Sequence, residues 1–281
     1  QALHQVFGIK ITFLVQVLVI VGIAAVFTFT SFIGTQKGMK RISNMSVILC
    51  GAFLGWIFFV GPTDFIMKNT ANSFGWMLEM MPRASLFTDP IADTGFPEAW
   101  TLFFQAFYLN YAAMMGIFIA KISKGRTVRQ LSIATLFGIS IGGWVVFAVD
   151  SSYAIYTQKT GLTDVVELIN SYVGEAGIYQ IIETLPLGKV VLPLLLIFVI
   201  VGFVASSLDS ASLSLSQTTQ RIMNKDGNVN PLLRVFWCVI LTLVPLSIMF
   251  IGANFSTLKT LAIIVSIPFM FIVAFMGIRL F

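Results

Sequence analysis

Seven apolar runs dominate the sequence, at roughly 11–33, 44–66, 98–120, 129–150, 189–216, 231–252 and 257–280. Each is close to or above the ~20 residues an α-helix needs to cross a bilayer. They are too long for the short alternating strands of an outer-membrane barrel. Only 10% of the 281 residues are charged, 57% are hydrophobic, and the mean hydropathy is +0.93. A soluble domain covers its surface with about 25% charged residues. The composition therefore excludes a soluble enzyme, a disordered chain and a fibrous repeat. It implies an all-α, multi-pass membrane protein whose main partner is the lipid bilayer. The net charge of +5 is assigned to basic cytoplasmic loops and not to a nucleic-acid partner. Cys50 and Cys238 lie inside apolar runs and read as reduced packing residues. His4 is the single histidine, so no histidine cluster is available for a metal or haem. No nucleophile triad, phosphate loop or zinc ligand set is present, which argues against an enzyme and against a bound cofactor. The chain starts at Gln1 and soon enters an apolar run, so it reads as part of a longer protein.

Two segments are too polar to span. Residues 67–97 combine an amphipathic stretch, Met67 to Leu86, with a loop ending at Pro97. Ile66, Phe74, Met77, Leu78 and Met81 line its apolar face. Such a helix either lies in the membrane interface or packs on neighbouring loops. Residues 151–188 form the second excursion, with helical patterns at Asp164–Tyr172 and Gly177–Leu185. Alternating the loops across the membrane places eleven lysines and arginines on one side and six on the other. The richer side holds the loops at 34–43, 121–130 and 217–230, with Arg234 and Arg279. The basic excess marks it as cytoplasmic. The first run then enters from outside, and the C-terminus is cytoplasmic.

Three sets of residues do not belong in lipid. In 98–120, Phe104, Tyr108 and Tyr111 share one helical face, and Phe107, Tyr111 and Met114 line the neighbouring stripe. Gln105 and Asn110 add polar amides to the same run. An aromatic face beside a membrane cavity holds organic cations through the ring quadrupoles; ordinary helix packing with interfacial tyrosines is the competing reading. In 189–216, helical spacing converges the Phe203 carbonyl with the Ser206 and Ser207 hydroxyls. Three neutral oxygens suit a hard cation. The stripe Ser206, Ser210 and Ser214 can equally bond across helices or back to the preceding turn. Asp209, in the same run, is costly in a membrane and is a functional candidate by default; its alternative is a structural partner for loop amides or for a basic residue near the cytoplasmic face. Finally, Gly138-Ile139-Ser140-Ile141-Gly142-Gly143 predicts close helix approach.

The stretch Ile117-Phe118-Ile119-Ala120-Lys121-Ile122-Ser123-Lys124-Gly125-Arg126-Thr127-Val128-Arg129-Gln130-Leu131 resembles the betaine/choline/carnitine transporter family, which carries a similar A-R-I-S-R-G-R-T-(V/I)-R-E motif. The resemblance extends to Gly38-Met39-Lys40-Arg41-Ile42-Ser43-Asn44, to Phe65-Ile66-Met67, and to residues 88–101, which are most similar to the carnitine-exchanging branch. It covers essentially the whole chain. It implies a LeuT-like inverted-repeat fold in which about seven of twelve transmembrane helices are present. Residues 1–66 would be the last two helices of the first repeat. Residues 67–97 would be an amphipathic extracellular segment, and 98–281 the second five-helix repeat.

The resemblance further implies a secondary transporter in the cell membrane, a small-molecule solute, and a homotrimer. The family's tryptophan box, F-Y-W-A-W-W-x-x-W/Y, here reads Phe103-Phe104-Gln105-Ala106-Phe107-Tyr108-Leu109-Asn110-Tyr111. Gln105, Phe107, Tyr108, Tyr111 and Met114 are therefore the expected substrate residues. Loss of the tryptophans admits a less methylated, amino-acid-like zwitterion beside a betaine, choline or carnitine. The family's ion helix, F-x-x-T-S-A-D-S, is matched at Phe203, Ser206, Ser207, Asp209 and Ser210. Phe203, Ser206 and Ser207 are thus the expected ligands of sodium (Na+), the expected coupling ion for symport. Two rivals stand beside this reading: a sodium-independent exchanger of the same fold, and a non-transporting membrane scaffold or sensor subunit.

Overall fold

The structure is a computed structural model that describes residues 2–33, 38, 40–171, 175–221, 229–252 and 255–280. Among the described residues the helices are α1 (Ala2–Phe7), α2 (Phe13–Ile33), α3 (Lys40–Val60), α4 (Thr63–Ser85), α5 (Phe103–Ile122) and α6 (Val128–Thr160). They continue with α7 (Val165–Ser171), α8 (Glu175–Glu183), α9 (Val191–Thr219), α10 (Pro231–Ile251) and α11 (Phe255–Leu280). A π-helical turn, Pro97–Leu102, leads into α5, and no described residue forms a strand.

Among the described residues, six helices are long and apolar enough to cross a membrane: α2, α3, α6, α9, α10 and α11. Residues Pro97–Ala112 and Met114–Ile122 meet at a 44° bend and make a seventh span if the pair crosses as one. Many large apolar side chains on these helices are exposed, as lipid requires; Ile48 and Phe147 are each 70% exposed.

Two boundaries differ from the sequence expectation. The second run was placed at 44–66, but α3 ends at Val60 and α4 begins at Thr63. Pro62 offers no N–H to continue the ladder, and the Thr63 hydroxyl donates to the Phe58 carbonyl at 2.6 Å. The fourth run, expected to stop near 150, continues as α6 to Thr160. Its extra turns are polar but supported by the protein: the Asn69 amide donates to the Ser152 hydroxyl (3.0 Å), and Tyr153 and Thr184 share a hydroxyl hydrogen bond (2.6 Å). α6 starts on a capping box between Thr127 and Gln130 and ends at Gly161, whose φ of 71° is left-handed. Among the described residues, the glycines Gly138, Gly142 and Gly143 have no close helix neighbour. A Cβ added at any of them meets nothing within 4 Å among the described residues.

The chain divides into two compact units. The first comprises Gln1–Ile23, Thr35–Met80 and Gly125–Ser206. Its core joins Phe53, Leu54 and Ile57 of α3 to Val149 and Tyr153 of α6, with Ile182, Leu185 and Leu192. The second comprises Ala24–Gly34, Met81–Lys124 and Ser207–Phe281. There α5 packs along α11, and the Asn110 amide donates to the Ala262 carbonyl at 2.8 Å. α10 in this unit starts on Asn230, whose side chain accepts the Leu232 N–H, with Pro231 in its first turn. In the loop before the π-helical turn, Thr94 donates both its N–H and its hydroxyl to Asp89. These bonds hold the Asp89 carboxyl below its ordinary range. Cys50 and Cys238 are free thiols. The basic loops at 34–43 and 217–230 lie partly outside the described residues.

Candidate functional site

Helical spacing sorts the aromatic residues of α5 into two ladders. Phe103, Phe107 and Tyr111 form one, with ring centroids 6.1 and 5.8 Å apart. Phe107 and Tyr111 are nearly parallel, at 10°. Trp100, Phe104 and Tyr108 form the other, at 6.1 and 6.5 Å, both pairs stacked. Tyr111 therefore belongs with Phe107 and not with Tyr108.

An open cleft of about 660 Å³ runs beside the second ladder, lined by Phe96, Trp100, Thr101, Phe104, Gln105 and Tyr108. Of the expected substrate residues, Gln105 and Tyr108 line it. Phe107 and Tyr111 stand on the adjoining ladder, and Met114 is half-buried further along α5. Tyr108 and Phe107 are 65% and 44% exposed, so their ring faces are accessible.

The sequence reading missed the upper part of this surface. Lys259, from the first turns of α11, places its ammonium 4.1 Å from the Trp100 ring centroid and 5.1 Å from that of Phe103. The aromatic surface thus already engages a cation, at a distance well within cation–π range. Trp100 stands one helical turn before Phe104 and two before Tyr108, the spacing that grouped Phe104 with Tyr108. Lys259 is far off in sequence and carried no comparable signal.

On α9, the Ser206 hydroxyl donates to the Phe203 carbonyl at 3.0 Å. Two of the three expected ion ligands are therefore bonded to each other, by a local bond to the preceding turn. Ser207 is exposed. Further along, the serines divide their roles: Ser214 donates to the Met114 carbonyl on α5 (3.1 Å), and Ser216 donates to the Ser212 carbonyl (2.6 Å).

Asp209 has a basic partner. It is 1% exposed and forms an ion pair with Arg234, from the first turn of α10. Ser31 of α2 donates to the same carboxylate oxygen. Ser31 also lies 3.2 Å from the Ser212 hydroxyl and accepts from the Arg234 guanidinium at 3.4 Å. Arg234 was counted among the cytoplasmic loop cations; instead it is 4% exposed. Removing it leaves ten basic residues against six. Its role was hidden because a sequence cannot distinguish a cation at a helix start from one turned into the bundle.

Residues 1–281 match the family described as BCCT, betaine/carnitine/choline family transporter. The chain is 35% identical over 271 residues to a carnitine transporter of Acinetobacter baumannii, covering 96% of this chain and 49% of that protein. It is 33% identical over 274 residues to the uncharacterized transporter YeaV of Escherichia coli, covering 97% of this chain and 56% of that protein. The chain thus spans about half the length of these curated relatives. Family and relatives alike are transporters and not enzymes. With its apolar spanning helices and a match running from first residue to last, the chain belongs to the betaine/carnitine/choline transporter family.

Proposed function

We propose that the chain forms the C-terminal half of a sodium-coupled symporter for a small zwitterionic or quaternary-amine solute of the betaine, choline or carnitine type. The observation that carries this is the laddered aromatic face of α5, which engages a cation at Lys259. Gln105, Phe107, Tyr108, Tyr111 and Met114 bind the solute, the rings taking its cationic end and Gln105 its polar groups. The Phe203 carbonyl and the Ser206 and Ser207 hydroxyls supply oxygens to sodium. While donating to Phe203, the Ser206 hydroxyl keeps its oxygen lone pairs to offer the ion. Alternating access proceeds on a LeuT-like fold of two inverted repeats. Residues 1–66 close the first repeat, 67–97 lie outside, and 98–281 form the second, with a cytoplasmic C-terminus. The assembled protein is a trimer in the cell membrane.

The bond between Ser206 and Phe203 favours a second reading, sodium-independent exchange, because it satisfies two of the three ligands without an ion. The resemblance of residues 88–101 to the exchanging branch points the same way. Uptake of labelled carnitine, betaine, choline and amino acids into proteoliposomes, with and without a sodium gradient, separates the two. Equal uptake in sodium and potassium buffer overturns symport, and uptake of none of these solutes overturns the transport reading.

Tyr111→Ala is expected to weaken solute binding by about 1–2 kcal/mol, roughly five- to thirty-fold in Kd. Tyr111→Phe retains most of the affinity if the ring face carries the contact. Binding titrations of the purified protein check both, and an unchanged Kd in the alanine variant assigns Tyr111 to packing.

Ser207→Ala is expected to raise the sodium concentration for half-maximal uptake and to alter solute affinity only through that linkage. Ser206→Thr retains the hydroxyl and is expected to be tolerated. Sodium titrations of uptake decide; an unaltered sodium dependence in a folded Ser206→Ala, Ser207→Ala double variant counts against the site.

A further inference from the structure

Asp150 lies in the membrane-spanning helix α6, on the face that carries Val146, Val149 and Tyr153 into the core of the first unit. Its Oδ1 is buried and has no hydrogen-bond partner among the described residues. Three polar side chains nearby on α6 are already engaged: Ser152 by Asn69, Tyr153 by Thr184, and Thr157 by the Ala154 carbonyl. An acid inside a spanning helix is costly and marks an ion or proton pathway by default.

The elements packed around it offer no described counter-ion. From α3, the titratable group near Asp150 is the Cys50 thiol, which lies within electrostatic reach; Lys40 and Arg41 are in the first turn of that helix, away from Cys50. From α4, Asp64 and Lys68 pair with each other at the surface, and Glu79 is exposed. Lys159, further along α6, lies over the Phe65 ring. Glu183 at the end of α8 and Lys189 before α9 are exposed, and residues 191–206 of α9 carry no charge.

We propose that Asp150 is a proton-binding site built into the packed face of α3 and α6. A proton needs one acceptor oxygen, whereas a metal cation takes several oxygen ligands. Protonation removes the charge that no described neighbour compensates. The side chain is only half-buried, so a proton can exchange with water while the carboxyl stays in the packed face. The site makes the transporter responsive to pH at a position separate from the aromatic face and from α9. The inference does not depend on the solute or on sodium.

Infrared spectroscopy of the protein reconstituted in lipid vesicles tests it without transport. A protonated-carboxyl band is expected that shifts on deuteration, disappears reversibly as pH is raised, and is missing from Asp150→Asn. If Asp150→Asn does not fold, Asp150→Glu keeps the carboxyl one methylene further out, and the same band is expected to move. A wild-type titration identical to that of Asp150→Asn, or a band unmoved in Asp150→Glu, overturns the proposal. Asp150 is then ionised throughout.

Discussion

Arg234→Ala is expected to destabilise the protein by about 3–5 kcal/mol, the cost of stranding one partner of a buried ion pair. Asp209 is 1% exposed, and Arg234 is its described counter-ion. The Ser31 hydroxyl bond to the carboxylate survives the substitution but compensates only a fraction of the lost charge. Asp209→Asn, which keeps an acceptor oxygen toward Ser31 and Arg234, is expected to cost less than Asp209→Ala. Replacing both partners, as Asp209→Leu with Arg234→Met, is expected to recover most of the loss, because apolar residues of similar volume often match a buried pair. The pair is also imperfectly satisfied: Asp209 Oδ2 and Arg234 Nε have no described partner, which lowers what is forfeited when both charges go. Thermal unfolding in detergent, compared across the four variants, checks the order. A wild-type melting temperature for Arg234→Ala would show that Asp209 does not depend on this cation.

Gly188→Ala carries the second large effect. Gly188 is buried in the turn before α9, its N–H bonded to the Leu185 carbonyl at 2.9 Å. A Cβ there would sit 2.0 Å from the Ile182 carbonyl oxygen and 2.7 Å from that of Leu185. Both obstacles are backbone, so no rotamer change relieves them. The cost belongs at or beyond the upper end of the ~1–3 kcal/mol range for overpacking. Gly202→Ala offers a contrast within the same unit. Its Cβ meets the Ser46 Oγ at 2.0 Å but the Ser46 Cβ only at 3.1 Å. Rotating the hydroxyl away relieves the worst contact, losing its bond to the Ile42 carbonyl (2.8 Å). Gly202→Ala should therefore be milder than Gly188→Ala, and denaturation midpoints that reverse the order would contradict the close backbone approach at 188.

Much of the architecture was legible because lipid imposes a simple code. A chain that cannot cover itself with charge must present long apolar helices, and their helical type follows from hydropathy alone. The two misplaced boundaries mark where that code stops. At Gly61 and Pro62 the hydropathy runs on while the hydrogen-bond ladder breaks. Beyond Asp150 the hydropathy fails while α6 continues, because Asn69 and Thr184 satisfy its polar side chains from elsewhere in the unit.

The candidate site divides in the same way. Local spacing determined from sequence alone that Phe107 and Tyr111, and Phe104 and Tyr108, stand one turn apart on α5, and that Phe203 and Ser206 lie within bonding reach. Those contacts span three or four residues and follow from helix geometry. The tertiary structure decided everything that depends on a distant partner. It brought Lys259 over Trp100, turned Arg234 from a loop cation into the counter-ion of Asp209, and left Asp150 in the packed face of α6 with a buried oxygen unpaired. A charge costs little in water and much inside a bundle, and only the packing of distant segments establishes which of the two surrounds it.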